Sequence, residues 1–279
     1  MQAHTTRSKA LPLGALLLLL AGCRASGPAQ EAQVHPQRPF ISRDTFTTAE
    51  DVIEVEAGAS IWSGHEIETP LTVKYGLGPR SEFFAQTSPY KEVDLNGAAP
   101  DGAGWGDTYV GLRHRLRDRD MYSPGYGFMI NTKLPTGRPK DGLGTGSTDW
   151  FGALMANQIY YGFDTTLFYQ LGVLGEQQQT GAPDSNHEHT FALQTRREMD
   201  AHVTAYGEFA YEWEPEIDRE EATILAGASF LLDSLTAVDL GVRLGLSDDA
   251  PDFQVVFGIT RAVGMLFFPE EDVRASLRD

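Results

Sequence analysis

The stretch Ala201-His202-Val203-Thr204-Ala205-Tyr206-Gly207-Glu208-Phe209-Ala210-Tyr211-Glu212-Trp213 decides the fold. Taken alternately, Ala201, Val203, Ala205, Gly207, Phe209, Tyr211 and Trp213 fall on one side. Asp200, His202, Thr204, Tyr206, Glu208, Ala210 and Glu212 fall on the other. A strand sends successive side chains to opposite faces, so this spacing separates an apolar face from a largely polar one. Wound as a helix, the same residues would scatter both sets round the circumference and leave no stripe to bury. The segment is predicted as a strand.

The pattern recurs in both directions. Val110, Leu112 and Leu116 oppose Asp107, Arg113 and Arg115; Phe128, Ile130 and Leu134 oppose Asn131 and Lys133. One face is shared by Leu167, Tyr169, Leu171 and Val173, another by Ile224, Ala226, Ala228 and Phe230, and others by Val238 to Leu246 and Phe253 to Ile259. About twelve such segments are expected, each near the roughly 9–11 residues with which a tilted strand crosses a bilayer. Turn signals separate them: Gly64-His65, Gly78-Pro79-Arg80, Asp118-Arg119-Asp120, Gly162-Phe163-Asp164, Glu214-Pro215-Glu216, Asp233-Ser234 and Asp248 to Pro251. Longer polar connections lie at Asn96 to Gly104, Thr136 to Ser147 and Gln177 to Asn186.

Short turns imply antiparallel neighbours, and short turns alternating with long loops are the habit of outer-membrane barrels. An open sheet edge in lipid would leave backbone groups unsatisfied at several kcal/mol each, which favours closure. The fold class expected is an all-β, closed antiparallel transmembrane β-barrel. Trp62, Tyr90, Trp150, Tyr160, Tyr161, Tyr211 and Trp213 are expected in aromatic girdles at the water interfaces. A water-soluble sandwich or lipocalin-like barrel, with aromatics in its core, is the alternative.

At the N-terminus Arg7 and Lys9 precede a short apolar run, Ala10 to Gly22, interrupted by Pro12 and Gly14. That is the layout of a signal peptide over residues 1–22, and the run is too short to be a stable membrane span. Leu20-Ala21-Gly22-Cys23 resembles the lipobox of bacterial lipoproteins, which implies a lipid on Cys23, the chain's one cysteine. A lipidated thiol can form neither a disulfide nor a catalytic thiolate. In such lipoproteins Arg24, where an Asp would retain the protein at the inner membrane, implies the outer membrane. Residues 23–48, rich in Ala, Gln, Pro and Ser, are expected as a flexible tether, residues 49–268 as the barrel, and 269–279 as a polar tail. The net charge of −17 loses Arg7 and Lys9 on processing and becomes −19. Such acidity excludes a nucleic-acid partner, which would need clustered bases; Arg113 to Arg119 is interleaved with Asp118 and Asp120.

No catalytic constellation is present in the sequence. Gly142 to Gly146 lacks the Lys-Ser/Thr of a phosphate loop, and there is no serine elbow, HExxH or paired-cysteine motif. His187 and His189 share a strand face without an evident third ligand, so no metal and no cofactor are expected. The lumen-facing candidates are Asp107, Arg113, Arg115, Asn131, Lys133, Asp200, His202, Glu208, Glu212, Asp239 and Arg243. Such charges either pair and plug a narrow lumen or line a pore and set its selectivity.

Gly104-Trp105-Gly106-Asp107-Thr108, then Leu134-Pro135-Thr136-Gly137 and Leu143-Gly144-Thr145-Gly146, preceded by Tyr75-Gly76-Leu77, form an ordered set over about Glu54 to Phe268. This set resembles the pattern of the "MetA-pathway of phenol degradation" transporter family of outer-membrane barrels. Each motif residue also has a structural explanation: Gly104 and Gly106 relieve crowding where a strand starts, Pro135 stops the ladder, and Gly137, Gly144 and Gly146 permit loop backbone. The resemblance implies a channel or transporter, not an enzyme, for small, hydrophobic solutes. A structural barrel with a plugged lumen and a soluble, lipid-tethered binding barrel stand as alternatives.

Overall fold

The computed structural model describes residues 34–63, 66–93, 102–175 and 186–265. The signal peptide, Cys23, the Gly64-His65 turn, the tail 269–279 and parts of two long loops lie outside the described residues. The strands are β1 (Val52–Trp62), β2 (Ile67–Glu68), β3 (Leu71–Gly78), β4 (Ser81–Thr87), β5 (Lys91–Val93), β6 (Gly102–Gly104), β7 (Thr108–Arg117) and β8 (Gly125–Leu134). They continue as β9 (Asp149–Tyr160), β10 (Phe163–Leu174), β11 (Asn186–Glu198), β12 (Val203–Glu214), β13 (Arg219–Asp233), β14 (Thr236–Gly245) and β15 (Phe253–Met265).

Twelve of these form the wall, each antiparallel to the next in chain order; β2, β5 and β6 make a short ribbon attached to β1. The ring closes where β1 pairs with β15, from Val52 opposite Met265 to Trp62 opposite Gln254. Closure satisfies the edge hydrogen bonds that an open sheet would leave bare. Turns such as Pro79-Arg80, Tyr161-Gly162 and Ser234-Leu235 cluster at one end, where β1 begins and β15 finishes. Tyr161 and Gly162 both take positive φ, 51° and 80°, as a tight hairpin with matching twist requires.

The alternation assigns the faces. On β9, Leu154 is 62% exposed on the outside; on β3, Lys74 is 2% exposed on the inside. Phe209, Ile224, Leu240, Val242 and Phe257 also point outward, while Glu56, Glu82, Arg113, Glu208 and Arg243 are buried within. A water-soluble barrel would require the reverse, since each outward Leu or Phe gains roughly 1.5–3 kcal/mol by leaving water. The surface suits a bilayer, and the lipocalin-like alternative fails. Trp150, Trp213, Tyr160 and Tyr161 are exposed near the strand ends as girdle residues should be. Trp62 is a correction: it shares the parity of Glu54 and Glu56, faces inward and lines a lumenal cavity.

A second correction concerns the tether. From Val34 to Thr48 the chain runs inside the barrel, and Gln37, Ser42, Asp44, Thr45, Thr47 and Thr48 are buried. The Val34 N–H donates to the Ser234 carbonyl at the short-turn end (3.2 Å), and the chain returns to Glu50, which bridges to Gly76. Ile41 packs against the lumenal cluster of Phe84, Met129, Met155 and Phe168, and Phe40 joins Tyr206, Leu225 and Val256. The segment lacks apolar periodicity because most of its partners are polar, not because it is unstructured.

Leu154→Arg, at mid-strand on the lipid face, is expected to lower stability by about 2–4 kcal/mol in urea titrations of the vesicle-reconstituted protein. The same substitution at Met121, in an exposed turn, should stay within about 0.5 kcal/mol. Equal effects would place the apolar belt outside the bilayer.

Candidate functional site

Four inward glutamates, each paired with a wall base, organise the lumen. Lys74 Nζ contacts Glu54, directly across from it on β1, and Glu56 (2.6 Å). Arg113 on β7 pairs with its cross-strand neighbour Glu82 on β4 (2.9 Å). Arg243 on β14 reaches past Leu225 of β13 to Glu208 on β12 (3.1 Å). Charges this deep are tolerated only when paired and hydrogen-bonded.

Further acceptor capacity of these carboxylates is used by main-chain N–H groups of residues 34–48. His35 donates to Glu54 (3.2 Å) and Gln37 to Glu56 (2.7 Å). Ile41 and Ser42 both donate to Glu208 (2.9 Å each), as does the Ser42 hydroxyl (2.5 Å). The Thr48 N–H and hydroxyl donate to Glu82 (2.7 and 2.8 Å). Wall bases donate in turn to carbonyls of the segment: Lys74 to His35 (3.0 Å), Arg196 to Pro36 (2.9 Å) and Arg243 to Pro39 (3.1 Å). Arg43 donates to the carbonyls of Phe40 and Ser42 and holds the inner bend.

Side chains fit at three places. Phe40 lies edge-on to Tyr206 (5.0 Å) and beneath the Arg196 guanidinium (4.7 Å). Phe46 stacks on His35 (5.1 Å) with Arg119 above it (4.9 Å). Arg38 lies flat over Gly58 and Gly258, which face each other on β1 and β15, and a Cβ on either would fall 2.2–2.6 Å from the guanidinium. Asp239 is 3.9 Å from Arg38.

The segment divides the lumen. On the long-loop side is a cavity of about 340 Å³ edged by Trp62, Glu68, Glu212, Glu221, Arg43 and Arg243. On the short-turn side one of about 580 Å³ is edged by Arg119, Asp164, Arg196, His202 and Tyr206. Arg38 and Phe40 bound both.

Of the predicted lumen residues, Arg113, Lys133, Glu208, Asp239 and Arg243 are inward and buried, and Asn131 and Glu212 are inward and half-buried. Arg115 is buried against the Pro79 carbonyl (2.7 Å). Asp200 and His202 line the short-turn cavity from the turn that precedes β12. They form an exposed turn at the cavity mouth, where Asp200 accepts the N–H groups of His202 (2.7 Å) and Val203 (2.9 Å). β12 begins at Val203, just after them. Sequence reasoning missed Glu54, Glu56, Lys74 and Glu82. The signal was Glu54 and Glu56 alternating with Ile53 and Val55, the same period-two mark in a shorter run.

The glycine-rich motifs meet at the long-loop end. Asp107 accepts the N–H groups of Gly137 (3.0 Å) and Thr145 (3.1 Å) and lies 3.6 Å from Lys133, which also contacts Asp149. The Thr136 hydroxyl, just beyond Pro135, donates to the Gly106 carbonyl (2.9 Å), and Gly104 abuts buried Leu143. A Cβ on Gly144 would strike the Asp107 carboxylate at 2.3 Å, and Gly146 takes φ 81°. These residues fold the loop after β8 inward and tie it down. On the outer face His187 bonds Glu216 (2.7 Å), an interaction that holds the Glu216 carboxyl below its ordinary range, and His189 contacts the Tyr169 hydroxyl (3.0 Å). The two imidazoles are thus engaged separately.

No family model and no curated protein matches the chain. Among solved structures, the barrel is similar to an outer membrane channel from Pseudomonas putida F1, with TM-score 0.63 and 13% identity over 83% of this chain and 100% of that one. It is also similar to the NanC porin (TM-score 0.57, 10% identity, 75% of this chain, 100% of that one). The KdgM porin gives TM-score 0.54 and 8% identity over 76% of this chain and 99% of that one. At these identities the likeness is one of fold.

Proposed function

We propose that this protein is an outer-membrane channel or transporter for small solutes, a conduit and not an enzyme, closed in this structure by residues 34–48. The observation that carries the reading is the pair of charge-lined cavities on either side of one strap inside a lipid-facing barrel. The fold it shares with a channel and two porins supports it. The resemblance to the phenol-degradation family would bring in apolar solutes. The lining by Glu212, Glu221, Arg43 and Arg243 on one side and Arg119, Asp164 and Arg196 on the other suits polar or charged ones, and this is the solute class we adopt. The filled lumen favours a second reading, a structural barrel permanently plugged.

Linking the strap to the wall separates the two. Thr45 Oγ1 and Asn157 Oδ1 lie 2.5 Å apart. In a Cys23→Ser background, Thr45→Cys and Asn157→Cys bridged by a bifunctional thiosulfonate should give silent planar bilayers, with step conductance restored by reductant. Silence under both conditions would support the permanent plug; conductance under both would mean that the strap is not the gate.

The lipid anchor belongs to the same proposal. Cys23 precedes Val34 by eleven residues, an extended reach of up to about 36 Å. Cells fed radiolabelled palmitate should label the wild type and not Cys23→Ser; an unlabelled wild type would remove the anchor.

A further inference from the structure

We propose that the lumen is a binding site for extended polypeptide supplied in trans, and that residues 34–48 are its internal occupant. The proposal rests on the channel reading for passage across the membrane, but not for binding.

The contacts themselves carry it. Five main-chain N–H groups of the strap, those of His35, Gln37, Ile41, Ser42 and Thr48, donate to wall glutamates. Three of its carbonyls, those of His35, Pro36 and Pro39, accept from wall Lys74, Arg196 and Arg243. Such bonds recognise the peptide backbone whatever its side chains, as strand addition does at a sheet edge. The strap has no regular secondary structure, so its backbone groups are satisfied largely by the wall, which is how a bound peptide is held. Selectivity comes from the aromatic cleft of Tyr206 and Arg196 around Phe40 and from the glycine platform Gly58–Gly258 beneath Arg38. The ligand class is a short extended peptide with an aromatic residue two positions after a basic one.

Glu54, Glu56, Glu82 and Glu208 keep their Lys or Arg partners when the strap leaves, whereas Arg196 loses Asp44 and Asp239 loses Arg38, charges that an incoming peptide of the same sequence restores. A tethered occupant competes at an effective concentration of about millimolar, so the wild-type lumen should resist a peptide added at micromolar concentration. Ile41→Pro with Thr48→Pro removes two backbone donors from the strap without touching the wall.

The probe is a fluorescein-labelled peptide of the strap sequence, VHPQRPFISRDTFTT, titrated by anisotropy into the full-length double variant in detergent micelles. Saturable binding is expected, at least about tenfold tighter than to the wild type. A peptide N-methylated at the positions of Ile41 and Thr48 should bind about tenfold more weakly or worse. Should the proline variant lose its heat-modifiable gel mobility, Phe40→Ala keeps every backbone donor, empties the aromatic cleft and replaces it. Absence of saturable binding to a folded variant, or equal binding of the N-methylated peptide, overturns the proposal. Conductance without peptide binding would overturn this site and leave the channel; binding without conductance would do the opposite.

Discussion

An ionised side chain turned into the barrel has to find its counter-charge and its hydrogen bonds there, and the arrangement of the lumen follows from that requirement. Lys74, Arg113 and Arg243 each face a carboxylate on the same wall, so ion pairing is settled between strands. A carboxylate offers about four acceptor sites, and a single base fills at most two of them. What remains open on Glu54, Glu56, Glu82 and Glu208 is an array of acceptors pointing into a narrow space. A polypeptide backbone, which presents a donor at almost every residue, is a natural complement to such an array.

The same requirement explains why the faces were legible and the lumen was not. Period-two alternation records which side of a strand meets lipid, and lipid tolerates little else, so the long strands β8 to β15 stand out in the amino-acid sequence. Phe209 and Glu208 could be sorted to opposite faces from spacing alone, and the structure keeps them there. The pattern weakens at strand ends, where girdle, turn and lumen compete. Trp62 sits at such an end, as do Asp200 and His202, which line the short-turn cavity from an exposed turn. Trp62 keeps the parity of Glu54 and Glu56, so its aromatic character suggested a girdle while its register put it inside.

Residues 34–48 were illegible for a different reason. Periodicity reports an element that buries one face against a different environment. A strap surrounded by a polar wall has no single buried face, and its Pro, Gln, Ser and Thr are the residues of a linker as much as of a hydrogen-bonded insert. The informative residues were on the wall: Glu54 and Glu56 commit buried charge two residues apart on one strand, and the single Lys74 cannot saturate both. Excess acceptor capacity at inward positions is readable in principle, but only after the barrel's parity is known. The loop motif around Asp107 was legible as a pattern and not as a mechanism, because its function as a tie needs Gly137 and Thr145 brought next to Asp107 by the fold.

Strap and loop are both polar inserts at the barrel mouth or interior, yet they differ in what their departure would leave behind. Asp107 is 3.6 Å from Lys133, and it is held chiefly by loop N–H groups, so freeing the loop would strip a carboxylate of its principal partners. That cost opposes opening. Withdrawing the strap would remove N–H donors from four glutamates but leave every one of their wall ion pairs intact, and water entering the vacated lumen could take up the freed acceptor sites. For these four carboxylates the energetic difference between occupied and vacated lumen is a difference between peptide and water as hydrogen-bond donors to already paired groups, to which the loss of the Arg38–Asp239 and Asp44–Arg196 pairs is added. Such exchanges are worth roughly 1.5–3 kcal/mol per bond to a charged group at most, and the entropy of ordering the strap opposes them. The four glutamates keep their charge balance without the strap, but Asp239 and Arg196 would lose Arg38 and Asp44, one charge of each sign, so a reversible site needs water or an incoming peptide with the same charges to replace them.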